Sequence, residues 1–349
     1  MVVGVTNAEP IENKRLGESV FVPFVSRDYG TRTKPASILK YAKSILVVCV
    51  PWEYSETNDP HTWSADNPSK RLARSALAGG VVCTPSHFVT PSKENICSLS
   101  SLGTNRDYHR EIKSILQLIV DELRAAFPAA KAKILIDSPT LCERSLAVRA
   151  GLGFFGKNGL LYTKEYGSHV NIGLLLTDIQ TGELEEYTKG SLLVACYANK
   201  AAPIDVPRAG NFFQNPIQAS RSQESKVQSV TAVCDRTQYS SCIPECRLCI
   251  ESCPNNALEV GKPLNANRCI SYLTQKDSLD INEEKMLHGQ LFGCDICQNV
   301  CPLNKTQKSL YVDPRKILLL SDEEIAEKFT DTALSWKARL LRRNAALAL

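Results

Sequence analysis

The chain has 349 residues, 43% hydrophobic and 22% charged, which suits a globular protein of two or three domains with a sizeable core. Its net charge of +4 permits a nucleic-acid partner without demanding one. No N-terminal stretch joins a basic start, an apolar run and a small-residue cleavage site. The longest apolar run, Ile45–Val50, is far too short to span a bilayer. The expectation is therefore no membrane partner and a reducing, cytoplasmic compartment.

Residues 1–35 show weak periodicity and read as a surface wrap. Ser44–Val50 (SILVVCV) is a short, continuous apolar run and predicts a buried strand. Residues 52–105, rich in Ser, Pro, Asn and Thr, read as long loops around one short helix near Lys70–Leu77. Tyr108–Phe127 follows as a helix: Ile112, Ile115, Leu116, Ile119, Val120 and Leu123 recur at helical spacing, and Pro128 ends it. Lys133–Ile136 is a second buried strand. Asp137-Ser138-Pro139 then opens another helix, with Glu143 in its first turns. Residues on their own favour Asp137 as that helix's cap.

AGLGFFGKNGLL, residues 150–161, is punctuated by Gly151, Gly153, Gly156 and Gly159. It is neither a Walker loop nor a good dinucleotide fingerprint, and a tight turn is as good a reading as a ligand contact. Residues 167–178 (GSHVNIGLLLTD) read as another strand. Residues 179–241 lose periodicity and read as a long excursion between domains. Residues 315–349 carry one or two short helices ending in basic WKARLLRRN.

Between these lie eight of the fourteen cysteines. They stand in CIPECRLCIESCP, RCISYLTQ and FGCDICQNVCP. Cys246, Cys249 and Cys253, and again Cys294, Cys297 and Cys301, keep the C-x2-C-x3-C spacing of bacterial ferredoxins, and Cys253 and Cys301 precede proline. In that pattern the fourth cysteine ligates the other cluster. The crossed rule assigns Cys242, Cys246, Cys249 and Cys301 to one 4Fe–4S cluster. It assigns Cys253, Cys269, Cys294 and Cys297 to the other. The first step is C-x3-C, with Pro244 inside it, and Cys234 is a substitute should Cys242 not reach. Structural zinc sites and disulfides remain open alternatives. The remaining cysteines read as reduced structural thiols.

Two clusters behind some 240 residues of α/β pattern point to electrons delivered to a site in that core. One set of motifs is specific. RDYH (Arg106–His109), Asp137, RAGLGFFGKN (Arg149–Asn158), GSHVNIG (Gly167–Gly173), CISYLTQ (Cys269–Gln275) and GCDICQNVCPLN (Gly293–Asn304) together resemble the epoxyqueuosine reductase family. The order agrees from about Arg32 onward, outside residues 179–241.

The resemblance implies an α+β protein. It would comprise a nitroreductase-like α/β corrinoid-binding core (1–178), an irregular insertion (179–235), a ferredoxin-like domain with two 4Fe–4S clusters (236–310) and a C-terminal helical segment (311–349). It also implies base-off cobalamin beside the clusters, and an enzyme reducing epoxyqueuosine to queuosine at the tRNA wobble position. Asp137 would be the general acid, its pKa raised by burial over the corrin face. Arg32, Asp137, Arg144, Leu161, Ile172, Ser271 and Gln275 would line the corrinoid. Tyr108 and His109 fall in a family motif, with His109 able to relay protons. The expected partners are tRNA and an external one-electron donor such as ferredoxin or flavodoxin. Lys70, Arg71 and Arg74, and Lys337, Arg339, Arg342 and Arg343, are candidate phosphate contacts.

The chain departs from the family in a shorter stretch before Arg32, a longer 179–241 region, the wider first cysteine step, and an end at RRNAALAL where some relatives continue into tRNA-binding helical repeats. Two alternatives follow: a paralogous corrinoid reductase with another substrate, and an electron-transfer or corrinoid-reactivating protein.

Overall fold

The structure, a computed structural model, describes residues 1–11, 32–52, 97–191, 193–195, 242–304 and 309–349. The helix expected near Lys70–Leu77, Cys234, and the basic residues Lys70, Arg71 and Arg74 lie outside them.

The first half is built on one antiparallel sheet. Strands β1 (Val2–Asn7) and β2 (Ser44–Pro51) pair antiparallel. The short β3 (Cys97–Leu99) belongs to a different sheet. It leads through α1 (Ser101–Thr104) into α2 (Tyr108–Ala126), then β4 (Ala132–Ile136) and α3 (Glu143–Arg149). A hairpin of β5 (Phe154–Phe155) and β6 (Leu161–Tyr162) precedes β7 (Val170–Thr177) and α4 (Thr181–Gly190). The sheet order is β1-β2-β7-β4.

Strand β2 is buried throughout from Ser44 to Val50, because both faces of the sheet are covered. Leu46, Val48 and Leu175 meet Ile112, Leu116 and Ile119 of α2. On the other face Ile45, Val47, Leu174 and Leu176 meet Leu146 and Ala147 of α3, with Phe155 and Leu161. A strand covered on both sides has no polar alternation, hence the unbroken apolar run. Each such side chain contributes about 1.5–3 kcal/mol by leaving water. Gly173 lets α2 approach: a Cβ there would stand 2.3 Å from Ile112 Cγ2.

Two expectations need correction here. The N-terminus is not a surface wrap but edge strand β1, paired from Val2 to Asn7. The stretch after 178 does not begin irregularly either. Helix α4 starts with a capping box between Gln180 and Glu183 and buries Leu184 in the core of the sheet domain.

The second half holds α5 (Leu248–Glu251), α6 (Ile270–Leu273), α7 (Ile281–Lys285), β8 (Gln290–Phe292) and α8 (Ile296–Asn299). Then come β9 (Leu310–Val312), α9 (Pro314–Leu319), α10 (Asp322–Lys328) and α11 (Ala338–Leu347). Strand β3 lies between β8, parallel to it, and β9, antiparallel. Leu99, Phe292, Leu310, Ile317, Phe329 and Leu341 share one core there. The overall architecture is thus a mixed α/β protein. No described helix is long and apolar enough to cross a membrane.

Candidate cluster and proton-transfer sites

Helices α5 and α8 each span four residues and carry one cysteine run apiece. They bring the thiols into two groups. Cys249 has Cys242, Cys301 and Cys246 as its charged neighbours. Cys294 has Cys269 and Cys253, and Cys297 has Cys294 and Cys269, with a weaker influence from Cys249. These are the two sets of the crossed assignment. Cys242, Cys246, Cys249 and Cys301 line one hollow of about 310 Å³, counting solvent at its mouth, with Gly156, Lys157, Tyr162, Leu248 and Leu303.

Every described cysteine is free of disulfides, which corrects the disulfide alternative for these residues. A zinc ion would draw its sulfurs to about 2.3 Å of one point. Among the described residues no His, Cys, Asp and Glu group is gathered to hold a single ion. Burial first, and then neighbouring thiols, push Cys249 and Cys294 up to about 12. As thiols these groups are neutral, and binding cationic iron would release their protons. Soft thiolates in two sets of four fit 4Fe–4S clusters.

The second site surrounds Asp137. The aspartate does not cap a helix. It ends β4 with φ +49°, and α3 begins only at Glu143, after Cys142. A non-glycine residue at such a φ is strained. The carboxylate faces the start of α2. There the Tyr108 hydroxyl donates a short hydrogen bond to Asp137 Oδ2, and His109 Nε2 lies 3.3 Å from the same oxygen.

Asp107, the cap of α2, receives the His109 backbone N–H and lies 2.7 Å from its Nδ1. A proton on Nδ1 serves that contact and leaves Nε2 facing Asp137. The Tyr108 and His109 rings stack at 4.3 Å. Burial and then the Asp137 charge push the Tyr108 phenol up, so it stays a donor.

The Asp137 side chain is 55% exposed. The buried carboxyl is Glu143. Burial pushes it up to about 8, against the bond it accepts from the Ser138 backbone N–H at 2.7 Å. The sequence placed Glu143 correctly but showed no sign of its proton.

The remaining candidates are dispersed. Ile172 precedes Gly173, the partner of Ile136 in the sheet, and so neighbours Asp137 across the strand pair. Leu161 is 3% exposed, and its side chain is spent in the core. Arg144 Nη1 donates to the Gly159 carbonyl at 2.6 Å. Gln275 Nε2 donates to the Ser271 carbonyl at 2.8 Å, beside Cys269. Among the described residues, Arg32 Nε and His169 Nε2 are buried without a hydrogen-bond partner.

The C-terminal arginines are not a free basic face. Arg339 pairs with Asp277 at 2.7 Å and Arg342 with Asp322. Arg343 donates to the carbonyls of Leu273, Thr274 and Lys276.

The class this defines is an α/β protein carrying a double-cluster iron–sulfur domain. Residues 241–304 match the family described as "4Fe-4S double cluster binding domain". Beyond that segment, the resemblance to the epoxyqueuosine reductases holds over most of the chain. It is 27% identical over 341 residues to the epoxyqueuosine reductase of Bacillus subtilis, covering 93% of this chain and 67% of that one. A second such enzyme, from Listeria monocytogenes, is 28% identical over 283 residues, covering 74% of this chain and 61% of that one. The chain thus spans about two thirds of the length of these curated relatives.

Its fold matches a crystal structure of epoxyqueuosine reductase with an epoxyqueuosine-modified tRNA-Tyr stem loop. The TM-score is 0.66 at 23% identity, over 100% of this chain and 76% of that one.

Proposed function

We propose that this chain is a cytoplasmic oxidoreductase that reduces epoxyqueuosine to queuosine in tRNA. In this reading two 4Fe–4S clusters serve a nitroreductase-like, corrinoid-binding α/β core. The observation that carries it is the conjunction of two four-thiol groups with a carboxyl group wired to a histidine. That pairing occurs in a chain resembling epoxyqueuosine reductases over most of its length.

Losing an epoxide oxygen as water, with an alkene left behind, consumes two electrons and two protons. The electrons come from a one-electron donor such as ferredoxin or flavodoxin. Cys242, Cys246, Cys249 and Cys301 would hold one cluster and Cys253, Cys269, Cys294 and Cys297 the other, and these clusters would supply one-electron transfer. Base-off cobalamin, when bound, supplies a low-valent cobalt nucleophile.

This chain's own residues fit such a group. Arg32 holds a buried N–H without a partner among the described residues, suited to the carbonyls of a corrin's side arms. Ile172 offers apolar surface beside Asp137, and Arg144, Ser271 and Gln275 offer further polar edges. Leu161 supports this wall from behind, by packing. Proton delivery falls to Asp137 Oδ2. Tyr108 orients it, and His109, held by Asp107 through Nδ1, takes a proton from solvent at Nε2 and passes it to Asp137 after each transfer.

The test is Asp137→Ala in the reconstituted holoenzyme. Epoxide reduction should fall by about 10²–10⁴-fold, with iron and cobalamin content unchanged. Turnover at the parent rate would remove Asp137 from the role of acid. An iron-loaded protein that binds no cobalamin would sink the corrinoid reading.

A further inference from the structure

The glycine-punctuated segment is left unexplained by proton delivery, yet it is one of the parts of the sheet domain that reach into the cysteine domain. Its hairpin closes tightly. A Cβ on Gly153 would stand 2.0 Å from the Tyr162 carbonyl oxygen, and one on Gly156 would stand 2.4 Å from the Tyr162 ring. The glycines therefore seat the Tyr162 ring and project the tip, Gly156–Gly159, outward.

Three polar side chains follow from that shape. Lys157 Nζ donates to the carbonyls of Ile243, Pro244 and Cys246, at 3.0 Å for the first and 2.7 Å for the last. These carbonyls belong to the widened C-x3-C step, so the extra residue there helps form a three-carbonyl cage for an ammonium with three donors. Among the described residues these partners are neutral carbonyls, and Lys157 itself lines the hollow together with Cys242, Cys246, Cys249 and Cys301. Tyr162, 2% exposed, lines the same hollow beside Cys301. Asn158, 4% exposed, donates from Nδ2 to the Tyr162 hydroxyl at 3.0 Å and has Cys297 as a neighbour.

We propose that this hairpin is a redox-tuning clamp. Lys157 and Tyr162 raise the reduction potential of the cluster held by Cys242, Cys246, Cys249 and Cys301, and Asn158 ties that cluster's surroundings to the second. The physical basis is general: a reduced cluster is more negative than an oxidised one. A nearby fixed cation and hydrogen bonds to its sulfurs favour the reduced form. The inference rests on the two-cluster reading above.

The experiment is an EPR-monitored redox titration, with iron analysis, of the full anaerobically reconstituted chain and of Lys157→Met, Lys157→Arg and Tyr162→Phe. In Lys157→Met one of the two midpoints should fall. At fixed potential, that cluster's reduced-to-oxidised ratio drops about tenfold, about 59 mV for one electron. Lys157→Arg should restore the parent midpoint, and Tyr162→Phe should lower the same one by less. Unchanged midpoints at full iron content overturn the clamp and leave the two-cluster reading standing. So does a Lys157→Arg midpoint as low as that of Lys157→Met, since packing rather than charge would then be at work. If Lys157→Met loses iron, Tyr162→Phe decides alone: its midpoint must fall. A parent chain that takes up no iron overturns both readings.

Discussion

The sheet domain and the cysteine domain are held together by different means. In the sheet domain, β2 and β7 run eight residues each and are sandwiched between α2 and α3. The cysteine domain rests on helices of four or five residues and a small cluster of its own, Ala266, Tyr272, Leu273 and Leu287. Helices so short are not stable by themselves, and so little apolar burial does not offset the entropy of ordering that loop-rich chain. Beyond that, order comes from Leu291 and Phe292, which pack into the C-terminal core, and from eight thiols drawn into two groups. The difference teaches that the sheet domain can fold by excluding water alone, whereas the cysteine domain leans on its neighbour and on what its thiols bind.

The sharpest way to break this contrast is to remove the iron. A chelated, reduced sample should lose amide-exchange protection through much of residues 242–304 and keep it in β2 and β7. Equal protection in both domains would show that the cysteine domain stands without clusters.

The converse is Leu116→Ala in the sheet core. Leu116 is fully buried, so denaturant unfolding of that domain should be easier by about 2–5 kcal/mol. Iron content should be unchanged. Iron loss in parallel would mean that the two domains unfold as one.

A smaller, pH-dependent effect sharpens the picture within the sheet domain. Glu143 sits at about 8 when folded, against an ordinary value of 4.5. Between those values the folded form holds a proton that the unfolded chain has released. Stability therefore falls as pH rises through this window, by at most about 1.4 kcal/mol per pH unit. Glu143→Gln should flatten that slope. A slope unchanged in the variant would place the titration elsewhere.

Spacing along the chain made the cysteine sets legible, because ligand sharing between clusters is a local rule applied twice. Helix α2 was legible to within a residue, since its six buried side chains all fall on one face. Strand β1 was not, because Val2, Val3 and Val5 around Gly4 show no alternation, and only its pairing with β2 defines it. Helix α4 hid because Leu184 is its one buried residue. The Asp137 corner brings together residues from Asp107 to Glu143, and a cap reading fitted the local DSP just as well. Arg343 looked like a free cation because its carbonyl partners lie about seventy positions away.

Strand β3 has a consequence for biosynthesis. It leaves the ribosome with the first half of the chain, yet its neighbours β8 and β9 follow roughly two hundred residues later. Until they arrive, Cys97–Leu99 has both backbone edges unpaired, the condition under which strands stick to other chains. The sheet domain can form vectorially, but the seam joining it to the cysteine domain closes only once β8 and β9 have been made. A nascent chain of this protein thus depends on timing, or on a chaperone, for the one step its local sequence cannot hurry.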